Sequence, residues 1–171
     1  ACWRIVDNQL VDSNNQPFAF EITLVQPSFE RIVNPYIQSL KKLGINAHIQ
    51  HSEISQYINR LRDFDYDMIV SGFGQSLSPG NEQKEYWHSS TADTPASRNL
   101  MGVKNPVIDQ LVDLVISAPD RASLVTRTRA LDRVLLHHHY LIPQFYIASH
   151  RIAYWNKFNR GSSIFRNKSF K

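Results

Sequence analysis

"LKKLGINAHIQHSEISQYINRLRDFDYDMIVSGFG", residues 40–74, changes its hydrophobic period twice, and those changes decide the fold. Residues 45–51, "INAHIQH", alternate apolar and polar as a half-buried strand does. In residues 52–65, "SEISQYINRLRDFD", Ile54, Tyr57, Ile58 and Leu61 fall on one helical face. Residues 66–73, "YDMIVSGF", return to a short apolar run that reads as a third element, a strand. Immediately upstream, Phe29, Ile32, Val33, Tyr36, Ile37, Leu40 and Leu43 recur at helical spacing, with Gly44 as the stop. Pro35 inside that run lacks an amide donor and predicts a kink or a late start near Asn34.

Residues 3–25, "WRIVDNQLVDSNNQPFAFEITLV", alternate apolar runs with turn clusters and predict two or three strands ending at 20–25. Strand, helix, strand, helix, strand with short loops specifies an α/β fold. Right-handed crossovers bring such strands into a mixed, mostly parallel sheet flanked by helices on both faces. Downstream, Asn105 and Pro106 open a helix with Val107, Ile108, Leu111, Val112 and Val115 on its buried stripe, ending near Ala118. Asp120 caps a second, in which Leu124, Leu131, Val134 and Leu135 face inward as far as His138. Residues 140–155, "YLIPQFYIASHRIAYW", read as one or two strands interrupted by Pro143. The expected organisation is an α/β body over 1–158 and a basic, loosely ordered tail over 159–171.

The bulk numbers agree with one folded domain. At 171 residues, 42% apolar and 20% charged, the chain can bury a core, and disordered, collagen-like and coiled-coil readings are excluded. The formal charge of +4 comes from 19 Lys and Arg against 15 Asp and Glu. Those cations are scattered except in 157–171, which reads as a solvated tail and not as a nucleic-acid footprint. Cys2 is the only cysteine, so neither an internal disulfide nor a thiolate metal cluster can form, and Cys2 is read as structural or incidental. No apolar run reaches the length of a membrane span, and no leader pattern is present.

Catalytic chemistry is poorly supported. His137, His138 and His139 are consecutive, and neighbours on a helix point about 100° apart, so they do not converge on one ion. Ser71, Ser76 and Ser78 lack the order of a nucleophile elbow, and "GFGQSLSPG" lacks the Lys and hydroxyl of a phosphate loop. The expectation is a protein without catalytic residues, metal or cofactor. There remains the passage from the third strand into 72–87. In an open α/β sheet, ligands bind beyond the carboxyl ends of strands. Small residues there admit a ligand to the backbone, with Phe73, Tyr86 and Trp87 as apolar walls; a plain surface loop with Trp87 in the core is the competing reading.

Several separated stretches carry a likeness to a known family: residues 40–74, the opening 3–25, and "NLMGVKNPVIDQLVDLVISAPDRASLVTRTRALDRVLLHHHYLIPQFY" over 99–146. Together they resemble the C-terminal lobe of the family 5 solute-binding proteins, the peptide and nickel receptors of ABC importers, and most closely the Yej-type oligopeptide branch. The resemblance implies one lobe of a periplasmic-binding-protein type II fold. It further implies a periplasmic or extracytoplasmic location, a peptide or other small-molecule ligand, an ABC permease as partner, and an N-terminal lobe closing on the same cleft. On this footing the absent leader and absent second lobe both follow from the chain being a fragment.

In the family, the loop after the Asp-Tyr-Asp strand enters the cleft and carries an Asp for the peptide's amino terminus. Here that place falls at or beside Ser76, whose hydroxyl cannot match a carboxylate, so Glu82, Glu85 or the other lobe would have to substitute. The expected ligand-binding residues are Phe73, Gly74, Gln75, Ser76, Leu77, Ser78 and Asn81, then Glu82, Tyr86 and Trp87. Asn99, Met101 and Tyr146 are expected on the far side, with helix packing as the competing job for Met101, and Trp3 and Trp155 as structural residues. Two other classes compete: the sensing domain of a transcription regulator built on the same fold, and a hydrolase using Ser76 or Ser78.

Overall fold

The structure, a computed structural model, describes residues 3–145. The chain divides into two compact units, 1–140 and 141–171, and the described part of the second, 141–145, has no regular secondary structure. The strand expected over 140–155 is therefore absent from its first residues. The remainder of that strand, Tyr146, Trp155, Cys2 and the tail over 159–171 lie outside the described residues.

The first unit opens with a hairpin of β1 (Arg4–Val6) and β2 (Gln9–Val11), paired antiparallel across Asp7 and Asn8. Both turn residues have positive φ, 49° and 63°, as a two-residue turn matched to strand twist requires. Asp12 then closes the next turn by accepting the amides of Asn14 and Gln16, each at 2.8 Å.

Three parallel strands follow: β3 (Ala19–Leu24), β4 (Asn46–His51) and β5 (Met68–Ile69), in spatial order β4-β3-β5. Helix α1 (Glu30–Lys41) joins β3 to β4, and α2 (Ile54–Asp63) joins β4 to β5. The two crossovers travel in opposite directions across β3, so equal handedness places their helices on opposite faces. Phe20, Ile22 and Leu24 of β3 and Ala47 and Ile49 of β4 pack with Val33, Tyr36, Ile37 and Leu40 of α1. This is the dry face.

The residues of opposite parity, Glu21 and Thr23, point the other way. There Arg60 of α2 pairs with Glu21, and Thr23 hydrogen-bonds Glu21 at 3.4 Å. The Glu21 carboxylate, by accepting a hydrogen bond, holds the Arg60 guanidinium above its ordinary pKa. Both faces carry a helix, as expected, but only one is apolar. That is why Ile54 and Ile58, expected on a buried face of α2, remain exposed.

Two details depart from the sequence reading. Helix α1 starts at Glu30, and a 3-10 turn over Pro27–Phe29 leads into it; Pro35 is contained in the helix, so no late start near Asn34 occurs. Strand β5 is two residues long because side chains take over its ladder. The Asp67 carboxylate accepts the Glu21 amide at 3.0 Å, and Tyr57 Oη donates to the Val70 carbonyl at 3.2 Å.

Beyond β5 the chain becomes helical: α3 (Glu82–Trp87), α4 (Pro106–Ile116) and α5 (Arg121–His137). Asn105 caps α4 by accepting the Val107 amide at 2.9 Å, and Asp120 caps α5 by accepting the Ser123 amide at 2.8 Å. Tyr86, Trp87, Val103, Ile108, Val112, Val115, Leu131 and Leu135 are buried. Val107, expected on that stripe, is exposed at 55% because it follows the cap and faces outward from the first turn.

Candidate functional site

The strand order β4-β3-β5 puts the first strand of the sheet in the middle. The chain therefore leaves β3 toward one neighbour and later leaves β5 on the other side, which opens a crevice at their carboxyl ends. Residues 70–80 run out at that point without regular structure.

Side chains hold this loop. The Phe73 ring meets Tyr86 edge-on at 5.3 Å and lies tilted on Trp87 at 4.9 Å. Tyr86 Oη donates to the Gly74 carbonyl at 3.2 Å. Gln83 is buried and bridges two partners, donating to Gln75 Oε1 at 2.7 Å and accepting from Trp87 Nε1 at 3.0 Å. Ser76 Oγ accepts the Ser78 amide at 3.1 Å, and the Arg121 guanidinium donates to the Leu77 carbonyl. The Glu82 carboxylate turns back to accept the Gly80 amide at 3.0 Å. Burial opposes its ionisation, yet the amides of Glu82 and Gly80 and the Gln83 side chain together hold its pKa below the ordinary value.

Beside the loop lies a recess of about 450 Å³. Ile58, Leu61 and Arg62 of α2 form one wall, Ser71, Gly72 and Phe73 the floor, and Tyr86 with residues 96–98 and Leu100 the other wall. The Ala96 amide donates to the Arg62 carbonyl at 3.0 Å and joins the two walls, while Tyr66 Oη donates to the Leu100 carbonyl at 2.7 Å. Arg98 stacks over the Tyr86 ring at 4.5 Å and stands 3.7 Å from Glu85.

Of the expected site residues, Phe73 and Tyr86 line this recess. Gly74, Gln75, Ser76, Leu77, Ser78 and Asn81 are exposed and do not line it. Nothing lies within 4 Å of a Cβ built on Gly72 or Gly74, so the small residues leave open space above the backbone. Trp87 is a core residue, 4% exposed, and its indole N–H is already satisfied by Gln83. It is therefore no ligand wall. Asn99 does not line the far side: it is fully buried, bonding both the amide and the carbonyl of Val103 and the carbonyl of His88. Met101 is half-buried. Glu82, spent on the Gly80 amide, is a poor substitute for a missing amine anchor, and Glu85 faces Arg98.

Sequence reasoning missed Ile58, Leu61, Arg62, Ala96, Ser97, Arg98 and Leu100. The Ala96–Arg62 backbone bond ties the two groups together, and no periodic signal in the sequence announces it. Among the described residues, no group of His, Cys, Asp and Glu could hold a metal ion, and no helix is long and apolar enough to cross a membrane.

No family model matches the chain. It is 50% identical over 158 residues to protein y4wM of Sinorhizobium fredii, a match covering 92% of this chain and 24% of that protein. It is 44% identical over 165 residues to the probable peptide-binding protein YejA of Agrobacterium fabrum, covering 96% of this chain and 27% of that one. The chain thus spans about a quarter of the length of the curated relatives it matches. Among solved structures, the oligopeptide-binding protein AppA of Bacillus subtilis, in complex with a nonapeptide, superposes with a TM-score of 0.68 at 24% identity, over 81% of this chain and 28% of that one.

The fold is accordingly that of part of a periplasmic-binding-protein type II protein, with helices around a parallel sheet. Within that class, the chain is similar to part of the Yej-type solute-binding proteins, among them the probable peptide-binding protein YejA of Agrobacterium fabrum.

Proposed function

We propose that this chain is one lobe of a two-lobed receptor that captures an oligopeptide between its lobes and delivers it to an ABC permease outside the cytoplasm. The observation that carries this reading is the recess and pinned loop at the carboxyl edge of the sheet, in a chain 44% identical to a protein named as peptide-binding. An extended peptide satisfies its backbone groups against loop amides and carbonyls, and roomy pockets take its side chains, so sequence tolerance needs no chemistry. Ligand shifts the lobes toward closure only through contacts improved on closing, half of which belong to the other lobe. Phe73, Gly74, Gln75, Ser76, Leu77, Ser78 and Asn81 are proposed as the ligand-facing loop, backed by the recess. In this proposal the lobe body runs over 1–158 and 159–171 is its tail.

The test is mass spectrometry of whatever is released when the intact gene product, purified without added ligand, is denatured. Short peptides are expected; reproducible recovery of a sugar or a metal chelate in their place would overturn the peptide reading and leave the fold intact. No feature of the fold or of the reported relatives favours a regulator's sensing domain.

A further inference from the structure

The β1–β2 hairpin is apolar where it meets solvent. Trp3, Ile5, Val6 and Leu43 are all exposed, Ile5 at 64% and Leu43 at 60%. Neighbours on a strand point to opposite faces, so Ile5 and Val6 give β1 an exposed apolar side chain on each. A hairpin with one face in water alternates apolar and polar residues instead. Leu43 precedes Gly44, whose carbonyl takes the Leu10 amide at 2.8 Å, and so stands beside the hairpin. Trp3 meets Phe18 edge-on at 4.9 Å and Phe18 meets Phe20 at 6.1 Å, which continues the dry face of the sheet out to this surface.

The backbone is open at the same place. Leu10, paired in register with Ile5, turns its amide and carbonyl away from β1, to the Gly44 carbonyl and, at 2.7 Å, to the Phe18 amide. Ile5, the other member of that pair, turns its own amide and carbonyl away on the opposite side, where they meet no partner among the described residues. An open edge that carries apolar side chains is the form that folded proteins cover. The Asn46 amide donates to the Phe18 carbonyl at 2.9 Å, so the hairpin sits at the amino edge of β3 and β4, at the opposite end of the sheet from the crevice.

We propose that the face formed by Trp3, Ile5, Val6 and Leu43 is a seam, covered in the intact gene product by an element of the same polypeptide from outside residues 1–171. Two observations choose this occupant. The stretch matched is only about a quarter of each of the two relatives described above, so polypeptide is at hand to cover the face. Four side chains on two short segments also fall far below the roughly 20–30 residues a side of an interface between separate molecules. A tethered neighbour needs no such area, because the chain itself supplies a high effective concentration. The seam lies away from the crevice, so its cover is not what closes over a ligand, and the inference stands whichever ligand the crevice takes.

The photo-crosslinker p-benzoylphenylalanine is placed in the intact gene product at position 5 or, in a second variant, at position 43. Crosslinked peptides are then identified by mass spectrometry in an equal mixture of isotope-labelled and unlabelled protein. Both positions are expected to crosslink to peptides from outside 1–171, with the two members of each crosslink carrying the same label. Crosslinks joining labelled to unlabelled chains would assign the face to a second copy, and crosslinks to 146–171 would assign it to that segment; either overturns the seam, as does the absence of any crosslink to protein. Ile5→Asp gives a second readout that needs no crosslinker. It should lower the melting temperature of the intact gene product by about 3 °C or more, whereas on a face open to water it would leave that temperature unchanged and overturn the proposal.

Discussion

Two residues carry constraints out of proportion to their size. Gly44 adopts φ +78°, and a Cβ there would come within 2.7 Å of the Leu10 amide nitrogen, which itself donates to the Gly44 carbonyl at 2.8 Å. Gly44→Ala must therefore strain the backbone and push the hairpin off α1, and a loss of about 2–4 kcal/mol by urea unfolding is expected. Asn99 organises the turn before α4 through three hydrogen bonds, the two to Val103 buried and the one to His88 partly so. Asn99→Ala removes the partner of the Val103 amide and carbonyl, while the His88 carbonyl keeps Thr91, and should cost about 2–4 kcal/mol in the same measurement. Asp120 is different: its carboxylate accepts from Ser123 amide and hydroxyl, which lower its pKa. A group whose folded pKa is depressed contributes stability that is present above the unfolded carboxyl value, near 3.9, and lost as pH falls through the lower folded one. Asp120→Asn keeps the cap but not the charge, so the variant's urea-unfolding midpoint should fall less steeply than the parent's as pH drops through the carboxyl range. Gly44 and Asp120 were legible in the sequence as a stop and a cap, because such signals are local. Asn99 was legible only as a residue near the site, since nothing in the sequence shows which carbonyls it meets.

At the scale of elements, the alternation in 45–51 and the helical spacing in 29–43 and 52–65 set out β4, α1 and α2 correctly. Burial there is decided by one face of one strand or helix. Strand β5 was legible in 66–73, but its shortness was not, because Asp67 and Tyr57 replace ladder bonds from positions remote in sequence. Helix α3 was missed: its six residues span fewer than two helical turns, and Gln83, polar yet buried, breaks the apolar pattern. Its packing against the loop makes a sharp expectation. Trp87→Ala should cost about 3–5 kcal/mol by cavity formation and freeing of Gln83. Ser76→Ala, at an exposed position, should alter the unfolding free energy by no more than about 0.5 kcal/mol. Had Trp87 been a ligand wall instead of core, the order of those two stabilities would not be so wide.

For the whole molecule, strand order is what relates sequence to site. A β-α-β-α-β chain whose first strand ends in the middle must open a crevice at the carboxyl edge, so the place was legible once the periods were read. The recess itself was not, since it needs residues 58–62 and 96–100 to meet. If the two-lobe proposal holds, the isolated chain should bind short peptides weaker than micromolar by calorimetry, because half the contacts are missing; tighter binding would count against closure between lobes. The loop over 72–80 is tied by Tyr86 at Gly74, Gln83 at Gln75, Arg121 at Leu77 and Glu82 at Gly80, though it forms neither helix nor strand. A segment fastened at four points has already surrendered most of its conformational freedom before any guest arrives, so capture need not spend free energy on ordering it and need not wait for it to fold.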